Sequence, residues 1–257
     1  MAAYGEFELD IPNVMRGQLP QFFASLADAP LTLENIALVP ESVQGAYLLF
    51  LGDRLVYVGK TDAQAGFRNR LTRHFYNIQH RRNLDPLSVS FKAARIFVFS
   101  TFDLETMLIE EYTRSTGLRP VWNFSGFGSN DPGRNREDQK SAQFDLEYPV
   151  DIERIVDVLA PGQYNLIAAI LSLKRSLPYI FRYETDGANA RSWQAGHSQM
   201  LERTITVPPG AMTTRAIMQL ILNALPDEWQ ATVLPNRIIL YREHKTYPAQ
   251  VEVLRRF

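Results

Sequence analysis

One stretch constrains the fold more than any other: GAYLLFLGDRLVYVG, residues 45–59. Two runs rich in aromatic, aliphatic and β-branched residues flank Gly52-Asp53, which is the pattern of an antiparallel hairpin. Each run carries one tyrosine, Tyr47 and Tyr57. Side chains alternate between the faces of a strand, so the turn decides whether the two phenols meet. A two-residue turn at Gly52-Asp53 sets Leu48 opposite Tyr57 and sends the phenols to opposite faces. A three-residue loop, or an equivalent bulge, sets Leu49 opposite Tyr57 and brings both to one face. The second arrangement is expected here.

The remaining segments imply an α+β fold. Residues 1–40 read as a helical, amphipathic lead-in, with Leu19, Phe22, Phe23, Leu26 and Leu31 apolar and Pro20, Pro30 and Pro40 as punctuation. Residues 66–82 place Phe67, Leu71, Phe75 and Ile78 at helical spacing. ARIFVFS, residues 94–100, reads as a strand. Residues 103–115 read as a helix with Leu104, Met107, Leu108 and Tyr112 inward and Ser100 or Thr101 near its cap. A loop rich in glycine and polar residues follows at 121–137. In the second half, 151–160 (DIERIVDVLA) and NLIAAILSLKRSL read as helices, PYIFRYET and ERTITVP as strands, TTRAIMQLILNAL as a helix and ATVLPNRIILYRE as a hairpin. With a linker placed at 141–151, the expected organisation is a lead-in at 1–40, a central domain at 41–148 and a C-terminal α+β domain at 149–257 whose role the sequence leaves open.

Composition excludes several function classes. None of the 257 residues is cysteine, which removes thiolate metal sites, disulfide scaffolds and cysteine nucleophiles. There is no evident signal peptide and no run of apolar residues long enough for a membrane span, so a cytoplasmic location is expected. The net charge of −1 means that an anionic partner must meet a local patch. Lys60, Arg68, Arg70, Arg73, Arg81 and Arg82 supply one, opposed within that stretch only by Asp62 and accompanied by His74 and His80. Such a run is either a solvated helix face or a surface that contacts phosphates. Arg70 and His74 stand at i, i+4 and share a helix face beside the apolar stripe. His197 and His244 are isolated and read as structural.

Taken in order, Gly45-Ala46-Tyr47, Tyr57-Val58-Gly59-Lys60, Arg70 with His74, Glu105 in LETMLIEEY and Trp122-Asn123 resemble the GIY-YIG nuclease superfamily. The two signatures are written GAY and YVG here. The E-x-x-L-I-x-x-Y helix leading to W-N, the Arg70–His74 spacing and GFGSNDPG at 126–133 resemble its type II restriction endonuclease branch, which includes enzymes that cut CCGCGG. The resemblance covers about residues 20–148. TRSTGLRPV, between Tyr112 and Trp122, is longer than the family pattern and bears on where Asn123 falls.

The resemblance implies a small antiparallel three-stranded sheet flanked by helices, and hydrolysis of phosphodiester bonds in double-stranded DNA. It implies one Mg²⁺ ion, replaceable by Mn²⁺, on Glu105. Arg70 is expected on the scissile phosphate, Tyr47 as base or relay for the attacking water, Tyr57 on the phosphate or water, and Asn123 orienting substrate or a bound water. Lys60 and His74 are the candidates for lowering the pKa of Tyr47. Arg68, Arg73, Arg81, Arg82, Asn130, Arg134, Arg136 and Lys140 are expected to contact DNA. A symmetric cleavage site implies a homodimer, and restriction implies a cognate methyltransferase or defence-system partner. Two other readings stand beside this one: a nuclease effector regulated through its C-terminal domain within a larger antiphage assembly, and a non-catalytic DNA-binding module.

Overall fold

The computed structural model describes residues 10–61, 66–97, 103–124, 127, 140–186 and 193–255. The chain is mixed α+β and divides into two units. The first comprises Met1–Phe75 with Asp85–Ser125, the second Tyr76–Leu84 with Gly126–Phe257. The division expected at 148/149 falls inside the second unit. The segment read as a linker holds a short helix, α5 (Gln143–Glu147), with Phe144 and Asp145 buried in the second unit.

In the first unit, α1 (Ile11–Ser25) begins where the Asp10 side chain accepts a hydrogen bond from the Asn13 amide. It is followed by β1 (Ala29–Pro30) and α2 (Leu33–Ala37), then by the hairpin of β2 (Gly45–Leu51) and β3 (Arg54–Thr61). After α3 (Phe67–Ile78) come β4 (Val89–Arg95) and α4 (Leu104–Thr116). The sheet has the order β1-β4-β2-β3 and all its pairs are antiparallel. The expected sheet has three strands; the observed one has four, of which β1 is only two residues long and β3 forms the other edge. Leu48, Val58 and Ala94 from one face pack with Leu19 and Phe23 of α1 and with Leu104, Met107 and Leu108 of α4.

The hairpin register is the one the tyrosines require. Gly52 takes a left-handed φ of +56°, as the first central residue of a primed two-residue turn does. Leu51 pairs with Arg54 and Phe50 with Leu55, but Leu49 pairs with Tyr57. Val56 is thus an extra residue on β3, a bulge that shifts the pleat by one.

Two elements differ from expectation. The strand expected at 94–100 is β4 at Val89–Arg95. Its seven residues match the seven of β2, from Leu51↔Val89 to Gly45↔Arg95, so the ladder begins five residues earlier than expected; residues 98–100 of the expected strand lie outside the described residues. The helix expected at 151–160 is absent. The Asp151 side chain accepts from the Glu153 amide, which turns the chain, and β5 (Ile155–Val156) follows.

The second unit continues with β6 (Gly162–Asn165), α6 (Leu166–Ser176), β7 (Ile180–Tyr183), β8 (Thr204–Val207), β9 (Met212–Thr213), α7 (Thr214–Ala224), β10 (Trp229–Leu234), β11 (Arg237–Arg242) and β12 (Glu252–Leu254). Its main sheet has the order β12-β10-β11-β7, with β7 parallel to β11 and the other pairs antiparallel. Ile170 and Leu173 of α6 and Ile217, Met218 and Ile221 of α7 pack with Phe181, Ala231, Val233, Ile238 and Leu240 of that sheet. Among the described residues, no helix is long and apolar enough to cross a membrane.

Candidate active site

The bulge at Val56 places both tyrosines on one face of the sheet. Their ring centroids are 6.0 Å apart, and the His74 ring, one α3 turn beyond Arg70, lies 5.6 Å from Tyr47 and 4.9 Å from Tyr57. Tyr47 Oη stands 2.8 Å from His74 Nε2, and the two phenols also hydrogen-bond each other. Tyr47 has one hydroxyl proton and two such neighbours, so the tautomer of His74 sets the direction of the chain.

The glycines beside the tyrosines make room for this packing. Gly59 is the cross-strand partner of Tyr47. A Cβ there would lie 2.2 Å from Tyr47 Cζ, and one at Gly45 would lie 2.1 Å from the Ala94 carbonyl oxygen and 2.6 Å from the Phe67 ring. Phe67 in turn packs edge-on against Tyr47.

Burial changes the expected roles. Tyr47 has no exposed surface, and burial first, then the proximity of Tyr57, raises its pKa well above that of a free phenol, with Arg70 pulling weakly the other way. Neither residue expected to lower it does so. Lys60 donates from Nζ to Asp103 Oδ1 at 2.8 Å. His74 is a neutral imidazole, its pKa pushed down to about 3 by burial and by the adjacent Arg73 and Arg70. Tyr57 is only partly buried, and its pKa too is raised, mainly by burial and then by Glu105. It is the phenol that reaches the surface.

This buried neutral histidine predicts an acid-sensitive fold. Its folded-state pKa is depressed, so His74 contributes fully above its ordinary value of 6.5 and loses that contribution as the pH falls towards 3. Over that window the stability of the wild type should drop by up to about 1.4 kcal/mol per pH unit from this group. Chemical denaturation across the same range should show a shallower slope for His74→Gln; parallel slopes would refute the assignment.

Glu105 is the second residue of α4, half-buried at a helix N-terminus. Burial raises its pKa, Lys60 lowers it, Asp103 raises it, and Arg70 and a hydrogen bond with Asn123 lower it again. Arg70, Glu105 and the two phenols therefore lie within one electrostatic neighbourhood. Among the described residues, neither Arg70 nor Glu105 makes an ion pair. A half-desolvated carboxylate of this kind suits a hard cation that takes one protein ligand and keeps most of its waters. Among the described residues, no group of three or more acidic or histidine side chains is placed to hold a metal ion.

Asn123, expected to orient substrate, instead clasps the edge strand. Its Oδ1 accepts from the Val58 amide and its Nδ2 donates to the Val58 carbonyl, both at 2.8 Å. A primary amide offers the donor and acceptor that an unpaired edge residue lacks, and its second amide proton remains for Glu105. Asn123→Ala should cost roughly 1–3 kcal/mol of stability, measured by urea unfolding. An unchanged midpoint would return Asn123 to a purely substrate-facing role.

The basic run separates into different environments. Arg68 donates to the carbonyls of Val39 and Ala37, closing the end of α2. Arg81 is buried among Asn77, Asp145, Tyr148 and Pro235. Arg82 stands 3.9 Å from Asp151 and 4.0 Å from Glu252. Arg81, so buried, is not available as expected for DNA, whereas the Arg68 and Arg82 side chains remain partly exposed. Arg73 and Lys140 are exposed, while Asn130, Arg134 and Arg136 lie outside the described residues, as do the expected helix caps Ser100 and Thr101.

The N-cap of α4 is Asp103, which sequence reasoning passed over. Its carboxylate accepts from Lys60 and from Thr106 Oγ1 at 2.8 Å, and those hydrogen bonds hold its pKa down to about 2. An aspartate directly before a helical apolar run was the available signal. The other two histidines noted in the sequence are structural: His197 Nδ1 accepts from the Gln199 amide and His244 Nε2 meets the Asp227 carbonyl. No family model matches the chain, and no curated protein matches it.

Proposed function

We propose that the chain is a divalent-metal-dependent DNA endonuclease of the GIY-YIG type, acting in restriction of foreign DNA. The observation that supports this best is the gathering of Tyr47, Tyr57, Arg70 and Glu105, from three separate sequence segments, into one electrostatic neighbourhood. Arg70, a fixed cation with no acidic partner among the described residues, binds the non-bridging oxygens of a phosphate and stabilises the charge that grows on them in the transition state. Tyr57 meets the attacking water or the phosphate from the open side. Tyr47 and His74 stand behind it, orienting the Tyr57 hydroxyl and offering a short path along which a proton can shift. Glu105 holds Mg²⁺ or Mn²⁺, which supplies Lewis acidity and a bound water of lowered pKa. Asn123 keeps Glu105 against the edge of the sheet.

Cutting both strands of a symmetric site requires two such centres, hence a homodimer on DNA. Purified full-length chain incubated with plasmid DNA and Mg²⁺ should give discrete fragments, and none with a chelator. Cutting that needs an added partner protein would favour the antiphage-assembly reading. Salt-sensitive DNA binding with no metal-dependent cutting would leave only a binding module.

A further inference from the structure

Two arginines in the first unit that carry no expected role share an unusual arrangement. The Arg119 guanidinium lies over the ring of Phe124, 3.4 Å from its centroid, and that of Arg95 lies 4.4 Å from the centroid of Phe97. Both rings are largely exposed, Phe124 at 55% and Phe97 at 77%. Both arginines are exposed, and neither guanidinium makes a hydrogen bond or ion pair among the described residues. An exposed phenylalanine in contact with water is unfavourable by itself. Here each ring instead serves as a plate on which a cation rests.

Stacking of this kind leaves the edge of the guanidinium, with its N–H donors, directed away from the ring and free to grip a planar or tetrahedral anion bidentately. It also holds a long side chain in place beforehand, so less rotamer entropy is lost when an anion arrives.

The strand register locates the pairs. Ala93 is the cross-strand neighbour of Tyr47 on β4, and Arg95 follows it by one pleat repeat on the same face, about 7 Å further along. Phe124 follows Asn123, which clasps Val58 on the opposite edge of the sheet. The two pairs thus flank the tyrosines on either side, one beyond β2 on β4 and the other outside β3. Three strand spacings separate them, on the order of 15 Å.

We infer that Arg95 on Phe97 and Arg119 on Phe124 are phosphate clamps that hold the nucleic acid backbone on both sides of the phosphate at Arg70. This rests on the nuclease reading and names the residues that carry its duplex. Charge favours nucleic acid as the occupant: each exposed cation lacks an acid among the described residues, which is what a polyanion requires and what a protein partner would have to supply in matched carboxylates.

The test is binding of a short linear DNA duplex to the full chain in a divalent-free buffer, followed by fluorescence anisotropy over a range of salt. Arg95→Gln with Arg119→Gln should lower affinity by about tenfold or more and reduce the log–log salt slope by about 0.9 for each phosphate that is no longer neutralised. Phe97→Leu with Phe124→Leu should weaken binding several-fold with the slope kept, because the charges remain but their platform is gone. Thermal unfolding of the arginine variant should match the wild type, which shows that it is folded.

Unchanged affinity and slope in the arginine variant would overturn the inference while wild-type cleavage left the nuclease reading standing. So would a variant that alters only the monomer–dimer equilibrium in sedimentation, which would assign the surface, with exposed Leu118 and Val121 beside it, to a second copy. A wild type that neither binds nor cuts DNA would remove both readings together.

Discussion

Replacing Glu105 with alanine should reduce metal-dependent DNA cleavage by a hundredfold to a thousandfold or more, about the scale of losing a group that stabilises the transition state, while duplex binding stays within a few-fold of wild type. On the proposed reading cleavage would depend on the carboxylate because, among the described residues, it is the acidic side chain that shares an electrostatic neighbourhood with Arg70 and both phenols. Binding does not depend on it, because a carboxylate repels DNA. Removal of the half-buried charge also relieves a desolvation cost, so the variant should be at least as stable as the parent. Gel-based cleavage, anisotropy and thermal unfolding on one preparation separate the three quantities. A variant that cuts at the parental rate would end the hydrolase proposal.

Arg81→Ala should destabilise the protein by about 3–5 kcal/mol, the range found when one partner of a buried ion pair is removed. Arg81 is 3% exposed. It bonds to the Asn77 carbonyl and side chain, to Asp145 Oδ1 at 3.0 Å, and to the carbonyls of Tyr148 and Pro235, with its guanidinium over the Phe144 ring. Burial pushes the Asp145 carboxyl up in pKa and the Arg81 charge draws it back. Alanine leaves that carboxyl and three carbonyls without their donor. The double variant Arg81→Met with Asp145→Leu should recover much of the deficit, because an apolar pair of similar volume carries no desolvation cost. A drop in melting temperature of roughly 10 °C for the single variant is the expected scale. The salt slope of DNA binding should be unaffected, and a reduced slope would restore Arg81 to a phosphate-contacting role.

Local chemistry of short range is legible in the letters alone. Gly52-Asp53 with a tyrosine on each side specifies a hairpin, and the demand that two phenols share a face specifies an irregularity within it. The amphipathic spacing of α3, α6 and α7 is equally direct. Long-range facts are not legible. The length of the β2–β4 ladder is set by β2, a partner more than thirty residues away, so the less apolar letters VSFKA, which open the strand, do not announce it. Whether an arginine serves as a surface cation or a buried tie depends on which carbonyls the fold brings to it, and Arg68, Arg81 and Arg82 look alike in a string of letters. The same holds for Asn123, whose amide is matched to a peptide unit 65 residues distant in the chain. The lowered pKa of His74 likewise comes from burial that only the assembled sheet and helix produce.

The extra residue at Val56 has a consequence for how this chain can vary in length. Nine residues separate Tyr47 from Tyr57; regular pairing at that length would set Tyr57 opposite Leu48 and turn its ring through the sheet, away from Tyr47 and His74, whereas removing Val56 would straighten the ladder with Tyr57 still opposite Leu49. Loops elsewhere can gain or lose a residue at little expense. Here parity itself is the constraint: the hairpin works as a mechanical index, and at its present length the one bulged residue keeps its two hands pointing to the same hour.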